Sequence, residues 1–274
     1  MRSIVFYIKT LNNNMLEKQK RYILEHAPKN ILRLYTIVKG RKVKYFCPCC
    51  RKWHPQMIDG QFWNEPHRFN PDRYKTERQD VVCPFCYSLP RHRILVDWIE
   101  DHLSLFRNKR ILHFAQEYSL KKYFKRNHIS VTTADLYEKA DLQIDLLNTG
   151  LADKSYDVII CNHVLEHVDD YKKGLLELHR ILADDGILII SFPIEESYST
   201  VKEDPRIITP EERLKAFGQN DHLRVFGRDS EKIISNCGFH VERIDGNLCP
   251  HDIMPVVGPA DYDANYLFLC RKSI

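Results

Sequence analysis

Residues 155–193 read SYDVIICNHVLEHVDDYKKGLLELHRILADDGILIISFP, and the stretch changes period twice. YDVIICN (156–162) and ILIISFP (187–193) are short and apolar without alternation, the pattern of strands buried on both faces. Pro193 stops the second run. Between them, DYKKGLLELHRILADDG (170–186) places Leu175, Leu178 and Leu182 on one helical face, with Gly186 as the expected terminator. Strand, helix and strand at this spacing make a βαβ unit, which implies a parallel sheet.

The alternation extends in both directions. RILHFA (110–115) reads as a strand followed by helical LKKYFKR, and ISVTTAD (129–135) is a β-branched strand ending on an acid. DSEKIISNCGFHVERID (229–245) reads helix, Gly238, strand, and NYLFLCRK (265–272) is a last strand. Towards the N-terminus, residues 15–38 predict one or two helices broken near Pro28, and residues 91–105 predict another. Residues 45–90 are irregular and rich in Cys, Pro, Trp and His. The expectation is an α/β chain with a doubly wound, Rossmann-like, mostly parallel sheet over 91–274. A basic helical segment (1–44) and a Cys-rich module (45–90) precede it.

The 274 residues are 43% hydrophobic, enough for one full domain and a smaller module. No run of about 18 apolar residues predicts a membrane span. The first residues, MRSIVFYIKTLNNN, lack the apolar core and small-residue cleavage site of a secretory signal. Nine cysteines, several in C-x-x-C pairs, then favour metal binding over disulfides and a cytoplasmic location. Residues 1–110 carry 22 Lys/Arg against 10 Asp/Glu, whereas 111–274 carry 19 against 27. The excess peaks in 1–46, with 11 basic and 2 acidic side chains. Such a face is either solvated or attracts an anionic partner: nucleic acid, an acidic glycan or a membrane surface. Tyr35, Tyr45, Phe46 and Trp53 lie among these basic residues.

Cys47-Pro-Cys49-Cys50 and Cys83-Pro-Phe-Cys86 form two C-x-x-C knuckles. Cys47, Cys50, Cys83 and Cys86 supply four thiolates for a tetrahedral Zn²⁺ without an open position, so the metal is expected to be structural. The long insertion between the knuckles costs little closure entropy. Cys49 is spare, and His54 could replace one sulfur. Arg91, His92 and Arg93 follow the second knuckle, where they either cap the module junction or meet an anion.

His163-Val-Leu-Glu166-His167 is an H-x-x-E-H string, which on a helix is a zinc-peptidase signature. The buried-strand run before it puts His163 at a strand exit, with the helix starting only near Asp169 or Asp170. The two imidazoles are therefore not expected to converge, and a metallohydrolase is disfavoured.

Asp157, the run Asn162 through His167 and the helix end Leu182 through Gly186 together resemble class I S-adenosylmethionine (SAM)-dependent methyltransferases of type 11. DHLRVFG (221–227) and CGFHVERI (237–244) resemble segments flanking their last helix. Zinc-ribbon variants of that superfamily carry a similar C-P-x-C…RHR front. The resemblance covers roughly 107–274 and implies a seven-stranded methyltransferase sheet. The first loop departs from the usual G-x-G, with Ala115 in the first glycine place. Doubly wound sheets bind ligands at the carboxyl ends of their strands, and an acid about 20 residues past the first loop holds ribose hydroxyls. Asp135, ending the second strand, fits that place. The resemblance implies that Asp145, in QIDLL, reads the adenine amine, and Glu117 could hold the methionine amine. Leu136, Leu146 and Asn162 complete the expected cofactor set.

The first reading is thus methyl transfer from SAM to an O or N nucleophile of an unidentified acceptor, a glycan, small molecule or RNA. The rival is a catalytically silent SAM-fold module that binds nucleic acid or a protein. His222 and His163 are the candidate bases; the alternatives are a salt bridge to Asp221 for His222 and a structural hydrogen bond for His163. Arg224 is a candidate substrate anchor, and Glu166 and His167 are expected to brace the loop.

Overall fold

The computed structural model describes residues 27–40, 44–57, 82–246 and 266–273. Helix α1 (Lys29–Val38) follows Pro28 at its N-cap, so the break expected at this proline is a helix start. The helical expectation for 15–26 lies outside the described residues. Strands β1 (Tyr45–Cys47) and β2 (Lys52–His54) pair as an antiparallel hairpin that carries the first knuckle. Helix α2 (Pro90–Asp101) leads into β3 (Ile111–Phe114), α3 (Tyr118–Arg126), β4 (Thr132–Asp135) and β5 (Leu142–Gln143). Then come β6 (Tyr156–Asn162), α4 (Tyr171–Ile181) and β7 (Leu182–Ser191). A connecting segment holds β8 (Lys202–Glu203), α5 (Pro210–Phe217) and β9 (Arg224–Val225). Helix α6 (Ser230–Asn236), β10 (Phe239–Asp245) and β11 (Tyr266–Lys272) close the fold.

The seven-stranded sheet runs β5-β4-β3-β6-β7-β11-β10. Strands β3 to β7 are parallel, and β11 is antiparallel to both its neighbours. The chain enters at β3, winds to one edge and returns to β6 beside β3. The winding reverses between β3 and β6, and their carboxyl ends form the crevice where such sheets take ligands.

Both faces are buried, which is why the strands read as unbroken apolar runs. Val158 and Ile160 point into one cluster and Ile159 and Cys161 into the other; Ile187, Leu188, Ile189 and Ile190 alternate likewise. Helices α2 and α3 and the Cys module cover the first face, and α4 and α6 the second. Ile159, Ile160, Leu188 and Ile189 are fully buried, each contributing roughly 1.5–3 kcal/mol. The Cys module shares one core with the sheet domain: Phe46, Trp53 and Met57 pack with Ile94, Leu95 and Ile160. Arg126 donates to the Cys49 carbonyl, and Arg51 pairs with Glu100.

Gly186 is not a helix terminator. α4 ends at Ile181, and β7 begins at once at Leu182, opposite Tyr156. The register then jumps so that Ile187 faces Val158. The intervening residues bulge, and a Cβ on Gly186 would lie 2.9 Å from the Asp157 carbonyl oxygen. Glycine is needed there for close backbone approach, not for ending a helix.

Candidate functional site

The first loop begins where β3 ends. Ala115 adopts φ +48 and donates its N–H to the Ala134 carbonyl at the end of β4. An alanine therefore holds the left-handed turn that glycine takes more cheaply, at a cost of about 1 kcal/mol.

Glu117, at the start of α3, stands in a cluster of basic groups. Its Oε1 lies 3.1 Å from His92 Nε2 and 3.7 Å from Arg91 Nε, and its Oε2 lies 3.3 Å from His113 Nε2. His92 Nδ1 accepts the Leu89 N–H, so the neutral ring carries its proton on Nε2 and donates it to Glu117. Burial pushes the His92 pKa down to about 4, against the pull of Glu117. Burial alone would raise the Glu117 pKa, but His92 and His113 outweigh it and hold the carboxyl well below its ordinary range. Glu117 is thus an anion, and among the described residues its Oε2 accepts no hydrogen bond of good geometry. Arg91 meets this anion, whereas the buried Arg93 donates to the Ser88 carbonyl and braces the module junction.

Asp135 ends β4 as expected. Its Oδ1 accepts the N–H groups of both Tyr137 and Glu138 at 2.8 Å, which fixes the carboxylate and leaves Oδ2 unclaimed among the described residues. Leu136, 43% exposed, offers an apolar edge beside it. Asp145 is half-buried, and its Oδ1 accepts the Leu147 N–H. The Leu146 side chain turns into the core towards Gly174 of α4, so only its backbone can face a ligand. Asn162 is buried and its Oδ1 accepts the Ser191 hydroxyl, tying the ends of β6 and β7 together. Ala115, Glu117, Asp135 and Leu136 follow or end β3 and β4 at their carboxyl ends, whereas the Leu146 side chain is taken up by the core and the Asn162 amide by Ser191.

The H-x-x-E-H string occupies the turn after β6, outside any helix. His163 takes φ +52, its N–H donates to the Ser191 carbonyl, and its Nδ1 lies 3.2 Å from Glu166 Oε1. α4 begins at Tyr171, with Asp170 as the N-cap accepting the Lys173 N–H. The segment between β7 and α6 folds back over this turn. Leu223 N–H donates to the Glu166 carbonyl, and Ile194 bridges Phe226. A Cβ on Gly227 would stand 2.6 Å from the Thr200 carbonyl oxygen, so the fold-back requires glycine.

The fold-back carries His222 to His167, ring centroids 4.8 Å apart at 80°. His222 is only 3% exposed, and Asp221 lies nearer His167, at 3.5 Å. The salt bridge proposed for His222 thus belongs to His167. Arg224 is corrected as well: it is buried, pairs with Glu203 and donates to the carbonyls of Leu165, Val168 and Asp169. It holds the turn rather than a substrate.

The four cysteines of the two knuckles converge. Cys47 and Cys86 sulfurs lie 3.6 Å apart, and Cys50 and Cys83 sulfurs 3.8 Å apart. A tetrahedron of 2.3 Å Zn–S bonds has edges of roughly 3.8 Å, so the set fits Zn²⁺. Arg51 and Tyr87, each following the second cysteine of its knuckle, both take left-handed φ, +56 and +58. The two knuckles are therefore backbone repeats of one another. Cys49 turns away towards the His92 carbonyl, and His54 Nε2 sits outside the set, 3.5 Å from Cys83 and 3.7 Å from Cys50. Tyr45, Phe46 and Trp53 are buried and give no open stacking platform for bases.

Residues 117–190 match the family model described as a methyltransferase domain. That interval runs from Glu117 through β7, and so includes Asp135, the β6 turn and α4. The chain is 40% identical over 67 residues to the ubiquinone biosynthesis O-methyltransferase of Rickettsia typhi, covering 23% of this chain and 27% of that protein. It is 29% identical over 133 residues to the enzyme of that name from Rickettsia bellii, covering 44% and 51%. The aligned part thus spans about half or less of the length of these curated relatives. Among solved structures, the Burkholderia thailandensis 1,6-didemethyltoxoflavin-N1-methyltransferase, with bound 1,6-didemethyltoxoflavin and S-adenosylhomocysteine, aligns at 16% identity with a TM-score of 0.44. That alignment covers 67% of this chain and 79% of the other.

Proposed function

We propose that the protein is a SAM-dependent methyltransferase braced by a structural zinc. The observation that carries this reading is Asp135: a carboxylate fixed at the end of the second strand, beside the winding reversal, with one oxygen unclaimed. It lies inside the matched methyltransferase interval. Asp135 would hold the ribose diol, Asp145 the adenine amine, and the anionic Glu117 the methionine ammonium. SAM supplies a sulfonium methyl group that is reactive once aligned. The chain's own work is then to position the acceptor and, for a hydroxyl, to take its proton. Of the two candidate bases, His163 is the better placed. It is partly exposed, and its Nδ1 faces Glu166, which leaves Nε2 for an acceptor proton. His222 is turned inward.

Cys47, Cys50, Cys83 and Cys86 would hold Zn²⁺ as a brace without catalytic part. The basic residues of 1–46 are proposed to attract the acceptor or another anionic partner. Lys29 and Arg33 lie over the Trp53 ring, so part of that charge also serves packing.

The test is calorimetric titration of the purified chain with S-adenosylhomocysteine, then incubation of methyl-labelled SAM with fractionated cell extract. Product binding and a labelled acceptor are expected. Binding without any transfer would favour the silent module, and no binding would overturn the reading.

A further inference from the structure

The turn after β6 and the fold-back segment bring together three groups that the methyl-transfer reading leaves unused. Glu166 is 1% exposed, and among the described residues neither carboxylate oxygen accepts a hydrogen bond of good geometry, although His163 Nδ1 stands 3.2 Å from Oε1. His222 is 3% exposed, and its Nδ1 also has no hydrogen-bond partner among the described residues. His167, with its side chain 32% exposed, completes the set. One ligand atom from each of the three lies within 4.8 Å of the other two. A buried carboxylate with a single poorly aligned imidazole beside it is costly to the fold, and so is a buried imidazole nitrogen that finds no partner among the described residues. A cation placed among them satisfies both at once.

We propose that Glu166, His167 and His222 bind one divalent transition-metal cation, distinct from the four-cysteine site. Two imidazoles and a carboxylate form a mixed nitrogen and oxygen donor set, which suits Mn²⁺, Fe²⁺, Co²⁺ or Zn²⁺ over soft thiophilic ions. Three protein ligands leave positions open, and His167 lies at the exposed side of the cluster. Arg224 supports the site from beneath: by holding the Leu165, Val168 and Asp169 carbonyls it fixes the turn carrying two of the ligands. His163, against Glu166 Oε1, orients the carboxylate from outside the ligand set.

The use of the site rests on the methyl-transfer reading. The cluster flanks the β6 exit, where an acceptor would meet the methyl group, so an acceptor hydroxyl that reached an open position would be made more acidic. Its proton would pass to His163. The oxygen lone pair would form the O–CH₃ bond as the S–CH₃ bond breaks, releasing S-adenosylhomocysteine. The acceptor class this favours is an oxygen nucleophile, such as a phenol or a vicinal diol.

Mn²⁺ tests the site, because it prefers oxygen and nitrogen donors and competes poorly for thiolates already holding zinc. The zinc-loaded full chain is titrated with Mn²⁺, and free Mn²⁺ is read by electron paramagnetic resonance. One bound Mn²⁺ per chain is expected. Glu166→Gln and His167→Ala should each weaken it by about tenfold or more. His167→Ala alters a partly exposed side chain, so it serves if Glu166→Gln fails to fold. S-adenosylhomocysteine binding, measured by calorimetry on the same samples, should persist in His167→Ala. Absence of stoichiometric Mn²⁺ binding, or wild-type affinity in both variants, overturns the metal site even where the nucleoside still binds. Loss of nucleoside binding from the wild type would instead overturn the methyl-transfer reading.

Discussion

Replacing Arg224 with leucine separates a brace from a substrate anchor. The guanidinium is 4% exposed and donates to three backbone carbonyls of one turn, those of Leu165, Val168 and Asp169. Hydrogen bonds from a charged donor contribute about 1.5–3 kcal/mol each, but the three share one side chain and do not simply add. The pairing with Glu203, whose side chain is 46% exposed, adds little. Leucine fills part of the volume and leaves three carbonyls short of a donor, for a net loss of about 3–5 kcal/mol. For a chain of this size that lowers Tm by roughly 10 °C. Arg224→Lys keeps the charge but cannot reach three acceptors, so its loss should be intermediate. Thermal unfolding by circular dichroism reads the stability. Amide exchange of a peptide spanning 163–169 reads the turn, which should lose protection before the rest of the sheet. A Tm within about 2 °C of wild type, with protection intact, would refute the brace.

Three further outcomes are expected. Metal analysis should find about one zinc per chain in the purified protein, lost in Cys83→Ser together with solubility; full retention would mean that the four sulfurs hold no metal. Asp135→Ala should weaken S-adenosylhomocysteine by about 1–3 kcal/mol in calorimetry, through loss of charged hydrogen bonds to the ribose, with Tm little changed. Acid should destabilise the junction. The pKa of His92 is depressed by burial to about 4, so the unfolded chain binds more protons below about 6.5 and stability falls as pH drops towards 4. Glu117, whose carboxyl is also held low, loses its contribution in the same direction. Between pH 6.5 and 5 the His92 part is about 2 kcal/mol, read as a falling urea midpoint that His92→Gln should flatten.

The sheet was legible because its strands are buried on both faces: Ile187 through Ile190 need no alternation, and the run announces itself. Position, however, did not reveal purpose for every glycine. Gly186 follows a helical pattern at the place of a C-terminal stop, but its neighbours in space are Asp157 and Ala183, across a bulge that no local period encodes. The cysteine knuckles were legible for the opposite reason, since C-x-x-C spacing is itself the local geometry. The left-handed residues after each knuckle, Arg51 and Tyr87, carry no signal of their own, being neither glycine nor asparagine.

The β6 turn shows where sequence reading stops. The string His163 to His167 suggests a metal site only if a helix stacks its two histidines, and the preceding strand rules that out. That inference about His163 and His167 holds, but it says nothing of a third group arriving from elsewhere. His222 lies 55 residues beyond His167 in sequence and reaches it because Ile194 and Phe226 bridge and Gly227 admits the Thr200 carbonyl. Each of those contacts is non-local. The arginine two residues after His222, read from sequence as a substrate anchor, sits in an otherwise apolar LRVF run and so needs buried acceptors wherever it lands. The acceptors it finds are the carbonyls of the β6 turn, so Arg224 fixes the turn carrying Glu166 and His167 and the His222 segment against each other. Loosening Arg224 should therefore weaken Mn²⁺ binding as well as stability. A binding loss in Arg224→Lys at a temperature where the fold is intact would join the two effects in one contact.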